Sequence, residues 1–289
     1  MFGFVNVFKP SGLTSTQVGA RVRACYARPG EPKLAVGHVG TLDPLAAGVL
    51  PLALGKATRL VALIDDQRKS YVFTLVLGIA TTTGDSEGEV LQRAAVPTEA
   101  GRRLGAVLGT FIGAREQVPP MFSAVKVGGE RLYALARKGK TVARSARPIT
   151  IYACTLLDCV GGIARLALAC SGGTYVRVLA EELAAAIGTV GHVGALLREG
   201  SGPFVLYESR TLEEIAADPQ AALVAPERVI PLPTIVLDGR GAADFRAGRL
   251  VPFPGGAGAK HVFVRDGARQ LVGVGEAVGA LLAPRKVFV

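Results

Sequence analysis

Alternation of larger and smaller apolar residues is the clearest pattern in this chain. Across residues 71–77, Tyr, Phe and Leu occupy the odd positions, and smaller Val and Thr residues occupy the even ones. Side chains on one face of a β-strand recur every second position, so this segment is predicted to be a half-buried strand. Leu166, Leu168 and Cys170 repeat the same spacing ahead of a Gly-Gly pair, which predicts another strand that ends there.

Two helices are predicted from their start signals and from apolar positions at helical spacing. Thr14, followed three residues later by Gln17, is typical of a capping box. Thr174 is placed to cap the second helix. The apolar positions of the two helices are Val18, Val22 and Cys25 in the first and Leu179, Leu183 and Ile187 in the second. Because strands and helices interleave without a strict βαβ order, we expect an α+β fold with a mixed or antiparallel central sheet.

A domain boundary is predicted near residue 232, where prolines are concentrated. Pro226, Pro231 and Pro233 crowd this segment, and a short helix is predicted before it at residues 211–217. The tail from 233 to 289 has eight Lys and Arg residues against four Asp and Glu, and its strand-like pieces begin near residues 235, 261 and 270. We therefore expect a larger domain over residues 1–232 and a small, basic, β-rich domain over residues 233–289.

Composition and charge narrow the range of functions that the sequence supports. The chain has 33 Lys and Arg residues against 23 Asp and Glu, for a net charge of +10. Such an excess favours binding to a polyanion, because neutralising phosphates releases counterions. The alternative is that the charge only keeps the protein in solution. Aromatic residues make up 6% of the chain and Trp is absent, which argues against a broad base-stacking platform.

Disulfide, zinc and membrane classes are not indicated by the sequence. The four cysteines include no C-x-x-C pair, and none of the three histidines has ligand-like spacing to a cysteine. No apolar run reaches the roughly 18 residues that a spanning helix needs, and a signal-peptide pattern is lacking. We expect a cytoplasmic protein. Since nothing indicates an interface helix or a coiled coil, we expect a monomer without a protein partner.

A single carboxylate, Asp43, lies in a loop built of small residues. Pro44 disfavours helical backbone angles at Asp43, while Gly40 and Gly48 allow tight turns or close approach to a ligand. The segment is therefore predicted to hold one carboxylate on a stiff loop, as a nucleophile or a base requires. Ordinary turn chemistry is the alternative for an isolated Asp-Pro pair.

The Asp43 loop is one of several motifs that follow one another along the chain. They are Lys9-Pro10-Ser11-Gly12-Leu13-Thr14-Ser15, Gly37-His38, Gly40-Thr41-Leu42-Asp43-Pro44, Lys69-Ser70-Tyr71, Gln117-Val118-Pro119-Pro120, Arg147-Pro148-Ile149, Gly172-Gly173-Thr174-Tyr175-Val176-Arg177 and Gly191-His192-Val193-Gly194-Ala195-Leu196. In this order and spacing, the chain resembles the bacterial tRNA pseudouridine synthase B (TruB) family from about residue 2 to about residue 204. It departs from the family's usual Leu-Arg-Arg run, because Leu197, Arg198 and Glu199 follow Leu196.

The resemblance implies an enzyme that isomerises uridine 55 in the T loop of tRNA to pseudouridine, without a metal or redox cofactor. It assigns the nucleophile to Asp43, and it assigns the cation that keeps this carboxylate ionised to Arg177. Three routes stay open for Asp43. The carboxylate adds to C6 of the uracil, adds to C1′ of the ribose, or removes the 2′ proton to give a glycal.

The same resemblance implies the pocket and the RNA contacts. Tyr71 would stack on the uracil, and Tyr175 and Leu196 would line the pocket. The alternative for each of these residues is an ordinary structural place with its side chain buried, which for Leu196 would be on a helix. His38 would fill space near the base after it flips out of the RNA. A basic thumb-like insertion at about residues 118–147 would close over the RNA, unless it is only a solvated charged face. RNA contacts are expected from Lys9, Lys126, Arg131, Arg137, Lys138 and Lys140, and the C-terminal domain is expected to be a PUA-like RNA-binding domain.

Two other functions use the same features. An RNA chaperone would need the basic surface and the pocket but no chemistry, so a change at Asp43 would be silent. A glycoside hydrolase would cut the glycosidic bond with Asp43 and release free uracil. Most such hydrolases use a pair of carboxylates, and no second acid recurs near Asp43 in the sequence or in the other motifs.

Overall fold

The computed structural model describes residues 2–30, 32–64, 68–123, 125–253 and 260–288, without the side chains of Arg131 and Arg137. Its strands are β1 (Gly3–Lys9), β2 (Val36–His38), β3 (Ala47–Leu54), β4 (Lys69–Leu77), β5 (Ile79–Thr81), β6 (Val90–Arg93), β7 (Gly113–Gln117), β8 (Lys126–Val127), β9 (Glu130–Arg131), β10 (Arg147–Val160), β11 (Ile163–Cys170), β12 (Gly191–Ser201), β13 (Phe204–Val205), β14 (Thr234–Val236), β15 (Val251–Pro252), β16 (His261–Arg265), β17 (Leu271–Val278) and β18 (Leu281–Val287). Its helices are α1 (Ser15–Cys25), α2 (Ala100–Leu108), α3 (Leu132–Arg137), α4 (Val176–Ala186), α5 (Leu212–Ala217), α6 (Pro226–Val229) and α7 (Gly239–Arg246).

The chain divides into two compact units. The larger unit comprises Val5–Leu52 and Asp66–Ala222, and the smaller comprises Met1–Phe4, Ala53–Asp65 and Leu223–Val289. The domain boundary near residue 232 stays a prediction. Across the described residues, the structure has no helix of the length and apolar character needed to cross a membrane.

A mixed sheet organises the larger unit. Its strand order is β1-β3-β12-β4-β11-β10-β7, with β2 beside β3 and β13 beside β12. The strands from β12 through β4, β11 and β10 to β7 pair antiparallel, whereas β3 and β12 run parallel. The predicted α+β fold with a mixed central sheet is therefore confirmed.

Strand β4 lies near the middle of this sheet and carries the predicted alternation. Its odd-numbered side chains are buried and its even-numbered ones are half-buried, as the period-2 pattern predicted. The strand begins at Lys69, so that this lysine shares the buried face with Tyr71. Across the sheet, Tyr71 lies opposite Leu168 of β11 and Arg198 of β12. This register sets which side chains meet around Tyr71.

Both predicted helices are present, as α1 and α4, but only one of the two predicted caps is confirmed. At the start of α1, Thr14 Oγ1 accepts from the backbone N–H of Gln17 at 3.1 Å, and the Thr14 N–H donates to Gln17 Oε1 at 2.8 Å, which confirms the capping box. The prediction that Thr174 caps α4 is wrong. Tyr175 occupies the N-cap position, and the Thr174 hydroxyl instead donates to the Ser171 carbonyl at 3.0 Å.

The C-terminal part of the smaller unit is β-rich, as predicted. Strands β14, β16, β17, β18 and β15 form one sheet in that order. Helix α7 contributes Phe245 to its core, with a side chain that is 0% exposed. The core cluster consists of Phe245, Val251, Phe253, Val262, Val264, Val272 and Leu282. A cluster of this size depends strongly on its largest aromatic side chain.

Replacing Phe245 by alanine is expected to lower the free energy of unfolding by about 3–5 kcal/mol, because it removes buried surface and leaves a cavity. Val278 on β17 is 53% exposed and provides the matched control. Its replacement by alanine is expected to change the free energy of unfolding by no more than about 0.5 kcal/mol. Urea denaturation followed by circular dichroism measures both values, and equal effects of the two changes would contradict the core assignment.

Candidate active site

Asp43 lies on the loop between β2 and β3, which the backbone holds tightly. Gly40 and Gly48 adopt φ angles of +88° and +104°, which favour glycine. A Cβ on Gly48 would lie 2.2 Å from the Arg198 carbonyl oxygen, so this position has no room for a side chain. Ser15 Oγ donates to the Leu42 carbonyl at 2.8 Å and accepts from the Leu42 N–H at 2.9 Å. The stiff loop that the glycines and Pro44 predict is therefore present.

Arg177 provides the positive charge next to Asp43. It is the second residue of α4, and its guanidinium Nη2 lies 2.8 Å from Asp43 Oδ2. The Arg177 side chain is 6% exposed, whereas that of Asp43 is 39% exposed. Arg177 also donates to the carbonyls of Thr83 and Phe122, each at 2.8 Å. The cation is thus fixed from several sides, while the carboxylate keeps access to a ligand.

Asp85 is a second carboxylate at this guanidinium, which the sequence did not reveal. Its Oδ2 lies 3.7 Å from Arg177 Nη1, and its side chain is 5% exposed. The Thr83 hydroxyl and the Glu87 N–H both donate to Asp85 Oδ1. Because Asp85 is buried and its oxygens are engaged, it stabilises Arg177 and is poorly placed to act as the second acid of a hydrolase.

A cavity brings most of the predicted pocket residues together. Asp43, Tyr71, Tyr175, Arg177 and Leu196 all line it. The other lining residues are Gly40, Thr41, Leu42, Lys69, Ser123, Gly173, Thr174, Val176 and Arg198. Thus five residues from four segments that are far apart in the sequence converge on one concavity within the larger unit.

Leu196 and His38 differ from the other pocket predictions. Leu196 lies on strand β12, opposite Phe73, so the expectation of a helix leucine is wrong. Its side chain is half-buried and still faces the cavity. His38 ends β2 with an exposed side chain and is not among the residues that line the cavity. The predicted role of His38, to fill space near the flipped base, therefore stays a prediction.

The two tyrosines are held in different ways. Tyr71 is buried, and burial raises the pKa of its hydroxyl, while the positive charge of Arg198 acts in the opposite direction. Tyr175 is fixed through its backbone. The Gln117 carboxamide accepts from the Tyr175 N–H at 2.7 Å and donates to the Tyr175 carbonyl at 3.2 Å. Gln117 ends β7 directly before Val118-Pro119-Pro120, so it links the start of the thumb-like insertion to the cavity.

Lys9 takes a different place from the RNA-facing one that was expected. Its side chain is 0% exposed. The ammonium donates to the carbonyls of Pro10 at 2.9 Å, Leu13 at 2.5 Å and Pro44 at 3.1 Å. Burial lowers the pKa of Lys9 to about 8, against the opposing carboxylates of Glu87 and Asp43. In the structure, Lys9 ties the first motif to the residue after Asp43.

The basic insertion contains β8, β9 and α3. Lys126, Lys138 and Lys140 are exposed, and Lys138 forms an ion pair with Glu130. The side chains of Arg131 and Arg137 lie outside the described part of the structure. The Arg144 guanidinium donates to the Pro119 carbonyl at 3.0 Å, which connects the two ends of the insertion. Lys126 and Lys140 are therefore exposed to an anionic ligand, and Lys138 is exposed but paired.

The comparisons with known proteins agree with this fold and cavity. The family model described as TruB family pseudouridylate synthase (N terminal domain) matches residues 31–176. The tRNA pseudouridine synthase B of Dechloromonas aromatica is 39% identical over 99% of this chain and 95% of its own length. That of Symbiobacterium thermophilum is 44% identical over 83% of this chain and 80% of its own length. A chain in the crystal structure of a Cbf5-Nop10-Gar1 complex has a TM-score of 0.68 and 26% identity, covering 100% of this chain and 85% of that one.

The fold is that of the pseudouridine synthases, and its cavity holds an Asp–Arg pair. The family model, which matches residues 31–176, and a relative that is 39% identical over 99% of this chain then fix the family: this chain belongs to the TruB family. The predicted family resemblance is confirmed.

The lowered pKa of Lys9 makes the free energy of unfolding depend on pH. The folded protein releases the Lys9 proton near pH 8, whereas the unfolded chain holds it up to about 10.5. Between these values the unfolded state binds more protons, so this residue makes the wild type more stable as the pH rises. Relative to Lys9→Met, the free energy of unfolding of the wild type is expected to increase from pH 8 to 10.

Chemical denaturation of both proteins at several pH values measures this difference, and the subtraction removes the titration of all other groups. A difference that stays constant or falls across this range would contradict the assignment of a depressed pKa to Lys9.

Proposed function

We propose that this chain isomerises uridine 55 in the T loop of tRNA to pseudouridine, with Asp43 as the nucleophile. The observation that carries the proposal is the 2.8 Å pair between Arg177 Nη2 and Asp43 Oδ2 at the wall of a cavity. A carboxylate acts as a nucleophile in its ionised form, and a neighbouring guanidinium favours that form. The similar tRNA pseudouridine synthase B proteins indicate the substrate class, tRNA.

The geometry supports Asp43, and not Asp85, as the carboxylate that reacts with the substrate. Asp43 Oδ2 is held by Arg177, and the side chain is 39% exposed, so the carboxylate is accessible from the cavity. Asp85, with a side chain only 5% exposed, lacks that access. The uracil C6, the ribose C1′ and the 2′ proton remain the three alternative points of attack. Each route needs the carboxylate, the sugar and the freed base to stay together in a pocket that excludes water.

Base recognition is assigned to the pocket side chains. Tyr71 would stack on the flipped uracil, an interaction worth about 1–3 kcal/mol per base. Tyr175 and Leu196 would enclose the base from other sides, and His38 would stand at the entrance to fill the space that the base leaves. Lys69, whose ammonium donates to Ser201 Oγ at 2.6 Å, adds a positive charge to the wall beside Tyr71.

The rest of the RNA would be held by shape and phosphate contacts. The thumb-like insertion would supply Lys126, Lys138 and Lys140, together with Arg131 and Arg137. We assign Lys9 to the support of the Asp43 loop, because its ammonium already has three carbonyl partners. Residues 233–289 would act as a PUA-like RNA-binding domain. The protein would act as a monomer on the T stem-loop, in the cytoplasm.

Replacement of Asp43 by asparagine is expected to remove activity. The substitution keeps the size of the side chain but removes the nucleophile, and such a loss costs on the order of 10⁶-fold in rate. A tRNA transcript that carries [5-³H]uridine releases tritium when C5 forms the new bond. Release is measured without added metal or cofactor, and the modified position is mapped by carbodiimide treatment and primer extension.

Asp158→Asn is the matched control, because Asp158 is 47% exposed on β10 and forms a surface ion pair with Arg165. It is expected to release tritium at the wild-type rate with one stop in the T loop. Tight tRNA binding without release by the wild type would favour the chaperone. Free uracil among the products would favour the hydrolase. Equal rates for Asp43→Asn and wild type would exclude Asp43 as the nucleophile.

Removal of the lysines at positions 126 and 140 is expected to weaken tRNA binding. Each lost phosphate contact lowers the slope of log affinity against log salt by about 1. Filter binding of Lys126→Ala/Lys140→Ala across a salt series measures this slope. Arg102→Ala on α2 removes an exposed charge that is paired with Glu99 and should leave the slope unchanged. If the double variant keeps the wild-type slope, the insertion is a solvated charged face.

A further inference from the structure

Arg198 is a buried cation beside the cavity that the proposed chemistry leaves without a role. It lies on β12 directly opposite Tyr71 of β4, and its side chain is 1% exposed. Among the ion pairs between described residues, none includes Arg198. A buried guanidinium is costly unless its donors are satisfied, so its hydrogen-bond partners indicate what it is kept for.

Those partners are carbonyls of the Asp43 loop and of β3, the strand that follows it. Arg198 Nε donates to the Val49 carbonyl at 2.7 Å, Nη2 to the Gly40 carbonyl at 3.1 Å and Nη1 to the Thr41 carbonyl at 3.3 Å. Tyr71 is the direct neighbour of Arg198 across strands β4 and β12, and both residues line the cavity. One planar group therefore contacts the backbone on both sides of Asp43, from a strand position next to the predicted stacking residue.

The main chain of Arg198 makes a second link to the same loop. Strand β12 pairs parallel with β3 at this point, where Arg198 lies opposite Gly48. The backbone approach is so close that a Cβ on Gly48 would lie 2.9 Å from the Arg198 N and 2.2 Å from its carbonyl oxygen. The side chain and the backbone of Arg198 together fix the point where the Asp43 loop enters β3.

The shape of guanidinium matters for this arrangement. Its donors lie in one plane in a fixed fork, so carbonyls from two ends of a loop can be held at set distances. A lysine ammonium brings the same charge as a point at the end of a flexible stem, and it cannot span the same set of acceptors.

We propose that Arg198 is a positioning residue that sets the distance between the Asp43 carboxylate and the ring of Tyr71. The inference rests on the proposed function, in which Asp43 attacks a nucleotide whose base stacks on Tyr71. The Asp43 loop and Tyr71 are far apart in the sequence, and β12, which carries Arg198, lies between β3 and β4 in the sheet. Arg198 therefore connects the two.

The test compares Arg198→Lys with Leu75→Ala in the full-length chain, using tritium release from tRNA. Leu75 is 0% exposed and lies on the same strand and face as Tyr71, so its truncation destabilises the sheet without touching the Asp43 loop partners. Arg198→Lys is expected to lower kcat by about 100-fold, the cost of a misplacement of roughly 1 Å. Its KM for tRNA is expected to stay near the wild-type value, because the RNA-binding surface is unchanged.

Leu75→Ala is expected to lower the melting temperature at least as much as Arg198→Lys, yet to keep the wild-type kcat at a temperature where both are folded. Hydrogen exchange then gives an independent readout, with faster exchange in residues 40–49 expected in Arg198→Lys only. Wild-type kcat in Arg198→Lys would overturn the inference. So would an equal loss of kcat in Leu75→Ala, or an Arg198→Lys protein that does not fold, since Arg198 would then serve the fold alone.

The failure of the inference and that of the proposed function are distinguishable. Wild-type activity together with an inactive Asp43→Asn supports the proposed function whatever Arg198→Lys does. A folded wild type that binds tRNA but releases no tritium overturns the function, and the inference falls with it.

Discussion

The buried guanidinium of Arg177 is the interaction on which the candidate site depends. It joins Asp43 at 2.8 Å, Asp85 at 3.7 Å and the carbonyls of Thr83 and Phe122. These partners come from separate segments, so one side chain of α4 gathers the nucleophile loop, the turn before Asp85 and the start of the thumb-like insertion. A buried ion of this kind is stable because each donor has an acceptor, and the loss of one acceptor leaves charge uncompensated.

The charged residues around this guanidinium have different roles. Asp43 and Asp85 share Arg177, but only Asp43 is open to the cavity. Lys9 and Arg198 both contact the Asp43 loop, and their N–H groups donate to backbone carbonyls. The Asp43 carboxylate is therefore open to its ligand and held on a rigid loop next to positively charged side chains. Those positive charges also favour a substrate rich in phosphate.

Much of the fold could be predicted from the sequence, because local rules determine it. The alternation in β4 and the capping box at Thr14 depend on nearest neighbours in the chain, and both are present. Asp85 and Arg198 could not be predicted in their roles, since both depend on sheet register and on contacts between distant segments. Lys9 is an example of the same limit: the resemblance implied an RNA contact, and only the folded loop supplies the carbonyls that bury its ammonium.

Chain order also has a consequence for when this site can exist during synthesis. Asp43 leaves the ribosome long before Arg177, and Arg198 of β12 follows later still. Because domains of this kind complete their packing as a unit, a nascent chain or a truncated product has the carboxylate without its cation and without its anchored loop. RNA near the ribosome therefore meets an inert polypeptide until β12 is inserted between β3 and β4.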